Sequence, residues 1–141
     1  MMINFPGPGI YRGMEEENGM PKVGSSAKLL GVRVPPNPKP DVQPNANGLI
    51  PTLTQKNPQG MSCAPRIEDL PRHRRPVHWD GKQKSPTFQV WKIAEEDPDP
   101  DLAIVQDSPS HITIGPSGDM TADELQAALA ATQSKWVLME P

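Results

Sequence analysis

Gly60-Met61-Ser62-Cys63-Ala64-Pro65, running on into Leu70-Pro71-Arg72-His73-Arg74-Arg75-Pro76, is the stretch around which the rest of the chain arranges itself. Its first part is a compact run bounded by glycine and proline, the pattern of a brief core strand. The plainest reading of Ser62 and Cys63 there is as small buried residues. Between Leu70 and His78 the chain carries three arginines and two histidines among prolines. Pro71 and Pro76 exclude helix, so a stiff extended arm is expected. Its fork-shaped guanidinium donors suit phosphate or carboxylate. The simpler use is a solvated face, or pairing with the acidic segment Glu95 to Asp101.

Downstream, Phe88-Gln89-Val90-Trp91-Lys92-Ile93 alternates and predicts a half or wholly buried strand. Asp97-Pro98-Asp99-Pro100-Asp101 reads as a rigid acidic turn without the glycine or spacing of a calcium loop. Leu102 to Asp107 is the next strand and Ser108-Pro109-Ser110 the turn after it. His111-Ile112-Thr113-Ile114-Gly115-Pro116 then puts His111 and Thr113 on one face and both isoleucines on the other. A polar face opposite a core face suits a strand lining a cleft. The helix comes last. Thr121 and Glu124 have capping-box spacing, and Leu125, Ala128, Leu129, Thr132 and Trp136 form one packing stripe at helical intervals.

Upstream, Ile10-Tyr11-Arg12 reads as a short strand with Tyr11 facing away from the other two. On its own Arg12 would be a solvated strand end. Glu15 to Gly19 is expected to be a solvated turn, Ser25 to Gly31 a single helical turn, and Val32-Arg33-Val34 the start of a strand. From Pro35 to Asn47 five prolines and three asparagines predict a loop or polyproline II segment. Short strands, proline-rich loops and one C-terminal amphipathic helix make the expected class α+β, with a small mixed sheet.

The totals set limits. A length of 141 residues predicts one domain over 1–141. With 19 prolines and 11 glycines the core must be small and helped by a ligand or partner. A formal charge of -3 argues against a general nucleic-acid or membrane-surface binder. One cysteine, Cys63, excludes an internal disulfide and a cysteine-built zinc site, and no metal is expected. No apolar run of membrane length and no cleavable leader pattern is visible, so a cytoplasmic protein is expected. Export by a machine that reads no such signal is compatible with that.

In order and spacing, these pieces resemble the small NAD-dependent effector toxins delivered by bacterial type VI secretion, which have an ADP-ribosyltransferase-like fold. The likeness runs from Ile10 to about Trp136. It rests on Tyr11-Arg12, Gly48-Leu49-Ile50-Pro51 followed by Gly60-Met61-Ser62, the arginine-rich arm, and His111 to Pro116 leading to Met120. The resemblance implies an ADP-ribosyltransferase-like split sheet, NAD as cofactor, and transfer of ADP-ribose or hydrolysis of NAD. It also implies a cognate immunity protein and a secretion-machine or chaperone partner. Tyr11, Arg12, Met61, Ser62 and His111 would bind NAD. Arg12 would meet the pyrophosphate or ribose, Ser62 would hold the nicotinamide half, and His111 would bond a ribose hydroxyl. Such enzymes present a glutamate to the ribosyl cation, and here no glutamate lies on an evident strand near His111. The candidate carboxylates are Asp123 and Glu124, both in capping positions. With Glu124 as the cap partner, the resemblance leaves Asp123 as the candidate catalytic carboxylate beside Ser62 and His111. A binding protein that has lost the chemistry is the alternative.

Two readings compete. A small ribonuclease toxin would use His73, His78 or His111 with the arginines as acid, base and phosphate clamp, against an acidic net charge. A non-catalytic proline-rich interaction module would tolerate replacement of Ser62 and His111. A thiol enzyme built on Cys63 and a histidine is the weakest alternative.

Overall fold

The computed structural model describes residues 5–82, 88–95 and 99–141. Of the expected acidic turn, Asp97 and Pro98 lie outside the described residues. Strand β1 (Ile10–Glu17) leads through Asn18-Gly19 into β2 (Met20–Pro21). Both turn residues have positive φ, 54° and 80°, the twist a two-residue hairpin needs. Because this pair makes the turn alone, Glu15 to Glu17 stay in the strand, where the sequence reading had placed them in the turn.

β1 pairs antiparallel with β4 (Phe88–Ile93), Arg12 lying opposite Trp91, and β4 pairs on its other edge with β7 (Val137–Met139). The first sheet therefore runs β2-β1-β4-β7. The second runs β3-β6-β5, from β3 (Met61–Cys63), β6 (His111–Pro116) and β5 (Leu102–Ser108). Main-chain bonds join the sheets at one seam: Tyr11 N–H donates to the Ala64 carbonyl (2.9 Å), and Ala64 N–H to that of Tyr11 (2.8 Å).

Helix α1 (Ala122–Ala130) begins as expected, with Glu124 N–H donating to Thr121 Oγ1 (3.1 Å) and Thr121 N–H to Glu124 Oε1 (3.0 Å). All five residues of the expected stripe are buried, but Thr132 and Trp136 lie past the end of α1, on either side of a 3-10 turn, Gln133–Lys135. Leu125 and Leu129 meet Ile10, Met14 and Trp91 of one sheet and Met61, Ile112 and Ile114 of the other in the main core. Each such side chain contributes about 1.5–3 kcal/mol by leaving water. A second cluster gathers Tyr11, Ala64, Ile67, Leu70, Trp79 and Val90. With Val90 in one cluster and Trp91 in the other, β4 is buried on both faces.

Three expectations are corrected. Ser25 to Gly31 makes only a turn, and Val32 to Val34 is not a strand. Carbonyls that would pair in a helix or sheet there are turned toward Arg12, while Gln126 of α1 binds Val32 N–H and the Leu30 carbonyl. Nor is the segment from Leu70 to His78 an extended arm. Pro71 lacks a donor but keeps its acceptor, and its carbonyl takes both Arg74 N–H (2.8 Å) and Arg75 N–H (2.9 Å). A 3-10 turn, Val77–Asp80, follows.

Candidate active site

A cavity of about 480 Å³ lies beside the seam, with Ala64 on its border. Arg12 and Gly13 of β1, Ser62 of β3 and His111 of β6 form its sheet walls. Two loop segments complete it, one with Arg33, Lys39 and Asp41 and the other with His73 and Arg74.

The register of the second sheet explains the polar wall. Ser62 pairs with Thr113, so their side chains share a face, and His111 lies two residues along it. Met61, Cys63, Ile112 and Ile114 take the opposite face into the core. Ser62 is exposed, unlike its buried neighbour Cys63, which separates two residues the plainest sequence reading had treated alike. Between β5 and β6 the register slips at Gln106 to Ser108, leaving Asp107 outside the ladder. A bulge of this kind frees a side chain for another use. The Asp107 carboxylate lies 2.8 and 2.9 Å from His111 Nδ1 and accepts from Thr113 Oγ1 at 3.0 Å. Burial pushes the Asp107 carboxyl up, but the bonds from His111, Thr113 and its own main chain outweigh that and hold it below its ordinary value. An ionised carboxylate only accepts, so Nδ1 carries a proton, and Nε2 is the ring nitrogen left to meet a ligand.

Arg12 is no solvated strand end. It is 6% exposed, and its guanidinium donates to the carbonyls of Ser26, Ala27, Leu29, Gly31 and Ser62. Burial, opposed by Cys63 and Asp41 and aided by Arg74 and Arg33, lowers its pKa. It clips the 26–31 turn and β3 to β1. Arg33 is held by Asp41 in a two-pronged pair, with Nε to Oδ2 at 3.1 Å and a terminal nitrogen to Oδ1 at 2.8 Å. That bond chiefly raises the Arg33 pKa.

Gly13 has two parts to play. A Cβ there would collide with the Arg74 carbonyl, so only glycine lets the arginine turn sit this close to β1. Its own main chain also borders the cavity. Tyr11 N–H and Glu15 N–H both donate across one edge of β1, to Ala64 and Lys28. Strand alternation turns Gly13 N–H and C=O to the same edge, and among the described residues no main-chain bond fills that gap.

The profile of the Tse2 ADP-ribosyltransferase toxin family matches residues 9–137. The chain belongs to this family. No individual curated protein matches it. The expected resemblance to ADP-ribosyltransferase-like toxins thus holds at the level of the family, and the mixed architecture, two antiparallel sheets with one C-terminal α-helix among the described residues, is α+β.

Of the residues the sequence pointed to, this Tse2-family fold brings Arg12, Ser62 and His111 to one cavity. Tyr11 is fully buried in the second cluster, its hydroxyl donating to the Gly7 carbonyl (2.8 Å). Burial, then Glu68, raises its pKa. Met61 is in the main core opposite Ile114. Asp123 is exposed on the first turn of α1 and does not border the cavity. Sequence reasoning missed Asp107, although it stands four residues before His111 across the hairpin. It also missed Gly13, Arg33, Lys39 and Asp41, whose place depends on loop folding that no local motif encodes. Cys63 is buried, and desolvation, only partly opposed by Arg12, pushes its thiol up to about 12. A thiol so rarely ionised is no nucleophile.

Proposed function

We propose that this chain is a bacterial toxin that uses NAD, with residues 1–141 forming one ADP-ribosyltransferase-like unit. In this reading the two sheets are the split sheet of that fold, and the cavity beside their seam takes the dinucleotide. The observation that carries it is the Asp107–His111 pair, set beside Ser62 on the polar face of a cavity rich in cations. The residues present fit an anionic dinucleotide. Arg33, Arg74 and Lys39 offer positive charge, Gly13 offers an N–H and a C=O that match a carboxamide, and Ser62 and His111 offer partners for hydroxyls.

NAD supplies an ADP-ribosyl group whose bond to nicotinamide is the one broken. Gly13 would grip the carboxamide through paired amide bonds, and Ser62 Oγ would steady the nicotinamide half. His111 Nε2 would accept from a ribose hydroxyl, fixing the sugar for reaction. Asp107 behind it would stabilise the positive charge that His111 gains on taking the proton that the attacking water or acceptor gives up. Arg12 would hold the walls at their spacing. Asp123 has no part in this assignment. Delivery into a rival cell's cytoplasm by type VI secretion, with neutralisation by a cognate immunity protein, fits a toxin of this class.

The test is controlled expression of the wild type, Ser62→Ala and His111→Ala in a bacterial cytoplasm, following growth, soluble protein and the NAD pool. Arrest by the wild type alone, with all three soluble, is expected. A falling NAD pool would mark hydrolysis, and a steady one transfer to a cellular target. Normal growth with abundant soluble wild type would sink the reading.

A second reading keeps one observation in its favour. His73 and His111 both border the cavity with Lys39 and Arg74, a set that could serve acid–base cleavage of RNA. RNA degradation in the arrested cells with an unchanged NAD pool would select it.

A further inference from the structure

Arg33 and Arg74 border the cavity from two different loops. In the turn from Pro71 to Arg75, Arg75 pairs with Asp80 at 2.9 Å and donates to the Glu68 carbonyl. Arg72 is exposed and does not border the cavity. Arg74 does border it, half-buried, and among the described residues its side chain makes no hydrogen bond or ion pair. Burial first, then the nearby Arg33 charge, lowers its pKa, with Asp41 opposing. A cation kept beside another cation and given no carboxylate of its own is electrostatically incomplete. Gly13 fixes where this happens, because its missing side chain is what admits the Arg74 backbone to the cavity rim. Arg12 is poorly placed to serve instead, since Nε and both terminal nitrogens already donate to main-chain carbonyls.

We propose that Arg74, with Arg33 from the other loop, is the diphosphate clamp of the cavity, and that Arg12 is not. A diphosphate presents several oxygens to the unspent fork of Arg74 and to the outer nitrogen of Arg33 that Asp41 leaves over. The inference rests on the NAD reading for the identity of the dinucleotide, but the clamp itself requires only a diphosphate.

Isothermal titration of the purified full chain with inorganic pyrophosphate and, separately, with NAD tests it. Arg74→Ala weakens binding of both about ten- to a hundredfold. Arg72→Ala removes the same charge from the same turn and stays close to wild type. Arg74→Lys keeps the charge without the fork and falls between, so a folded variant is in hand whatever the alanine does to stability. Equal affinities for Arg74→Ala and Arg72→Ala overturn the clamp, and NAD binding by both would leave the NAD reading standing. Pyrophosphate binding that depends on Arg74, without NAD binding, supports the clamp and removes the NAD reading. Failure of the wild type to bind either ligand overturns both.

Discussion

Arg12 and Arg74 border one cavity and differ in almost everything else. Arg12 stands on a strand paired with β4 from Ile10 to Glu15, and each of its three side-chain nitrogens donates to carbonyls of the 26–31 turn or β3. Arg74 stands on a turn pressed against Gly13, and its donors meet no acceptor among the described residues. Position on the first strand would nominate Arg12 as the ligand's cation. Counting where its hydrogen bonds go nominates Arg74. A guanidinium has five N–H groups, and a residue that has spent them on the fold has little left for chemistry.

Substitution should therefore separate the two arginines by stability as well as binding. Arg12→Ala leaves several buried carbonyls without a donor and is expected to cost about 3–5 kcal/mol, close to the whole stability of a marginal domain. Arg74→Ala removes no intramolecular bond and should stay within about 0.5 kcal/mol of wild type. Urea unfolding followed by tryptophan fluorescence measures both. If Arg12→Ala unfolds at the wild-type midpoint yet loses ligand, the contrast is broken and Arg12 is a binding residue after all.

The Asp107–His111 pair gives the next largest effect, on activity more than stability. Asp107→Asn keeps the shape but removes the charge that fixes His111 with Nδ1 protonated, and toxicity or NAD turnover is expected to fall about a hundredfold. Because Asp107 has a lower pKa folded than unfolded, its contribution is present above the ordinary carboxylate range. It is lost as pH falls through that range toward the folded value. The asparagine variant should thus show a flatter acid limb in stability against pH. Asp119 and Glu124 are depressed in the same sense, by bonds from Thr52 and Thr121, so part of the slope will remain. An unchanged pH profile and full activity in Asp107→Asn would reduce the pair to a surface contact.

What could be read from the chain follows a physical divide. The strands around Trp91 and Ile112, the two faces of β6 and the cap at Thr121 are encoded locally, by alternation or by a spacing of three residues. They agree with the structure. The cap also allows a modest prediction: Thr121→Ala should cost about 1 kcal/mol, measured by thermal melting. What could not be read depends on partners distant in sequence. Asp107 reaches His111 through a bulge that only the β5–β6 register defines. The carbonyls of 26–31 abandon regular structure because Arg12 arrives from another element. Val137 to Met139 form β7 because a 3-10 turn, Gln133–Lys135, brings the chain back to β4. Tyr11 and Met61, nominated by their neighbours in the motifs, point the other way because alternate residues on a strand must.

The smallest expected effect probes Arg12 from its other side. Cys63 lies close enough for the Arg12 charge to draw its thiol down, yet burial prevails and the thiol stands at about 12. At pH 8 the native protein should accordingly react with a thiol reagent only as fast as the core opens, and far more slowly than in urea. Cys63→Ala should leave toxicity unchanged and cost about 1 kcal/mol or less. Rapid labelling of the folded protein would mean that Arg12 sits in a wetter, less occupied place than its carbonyl partners require. A guanidinium with that freedom could turn toward a diphosphate, and the division of labour between Arg12 and Arg74 would no longer hold.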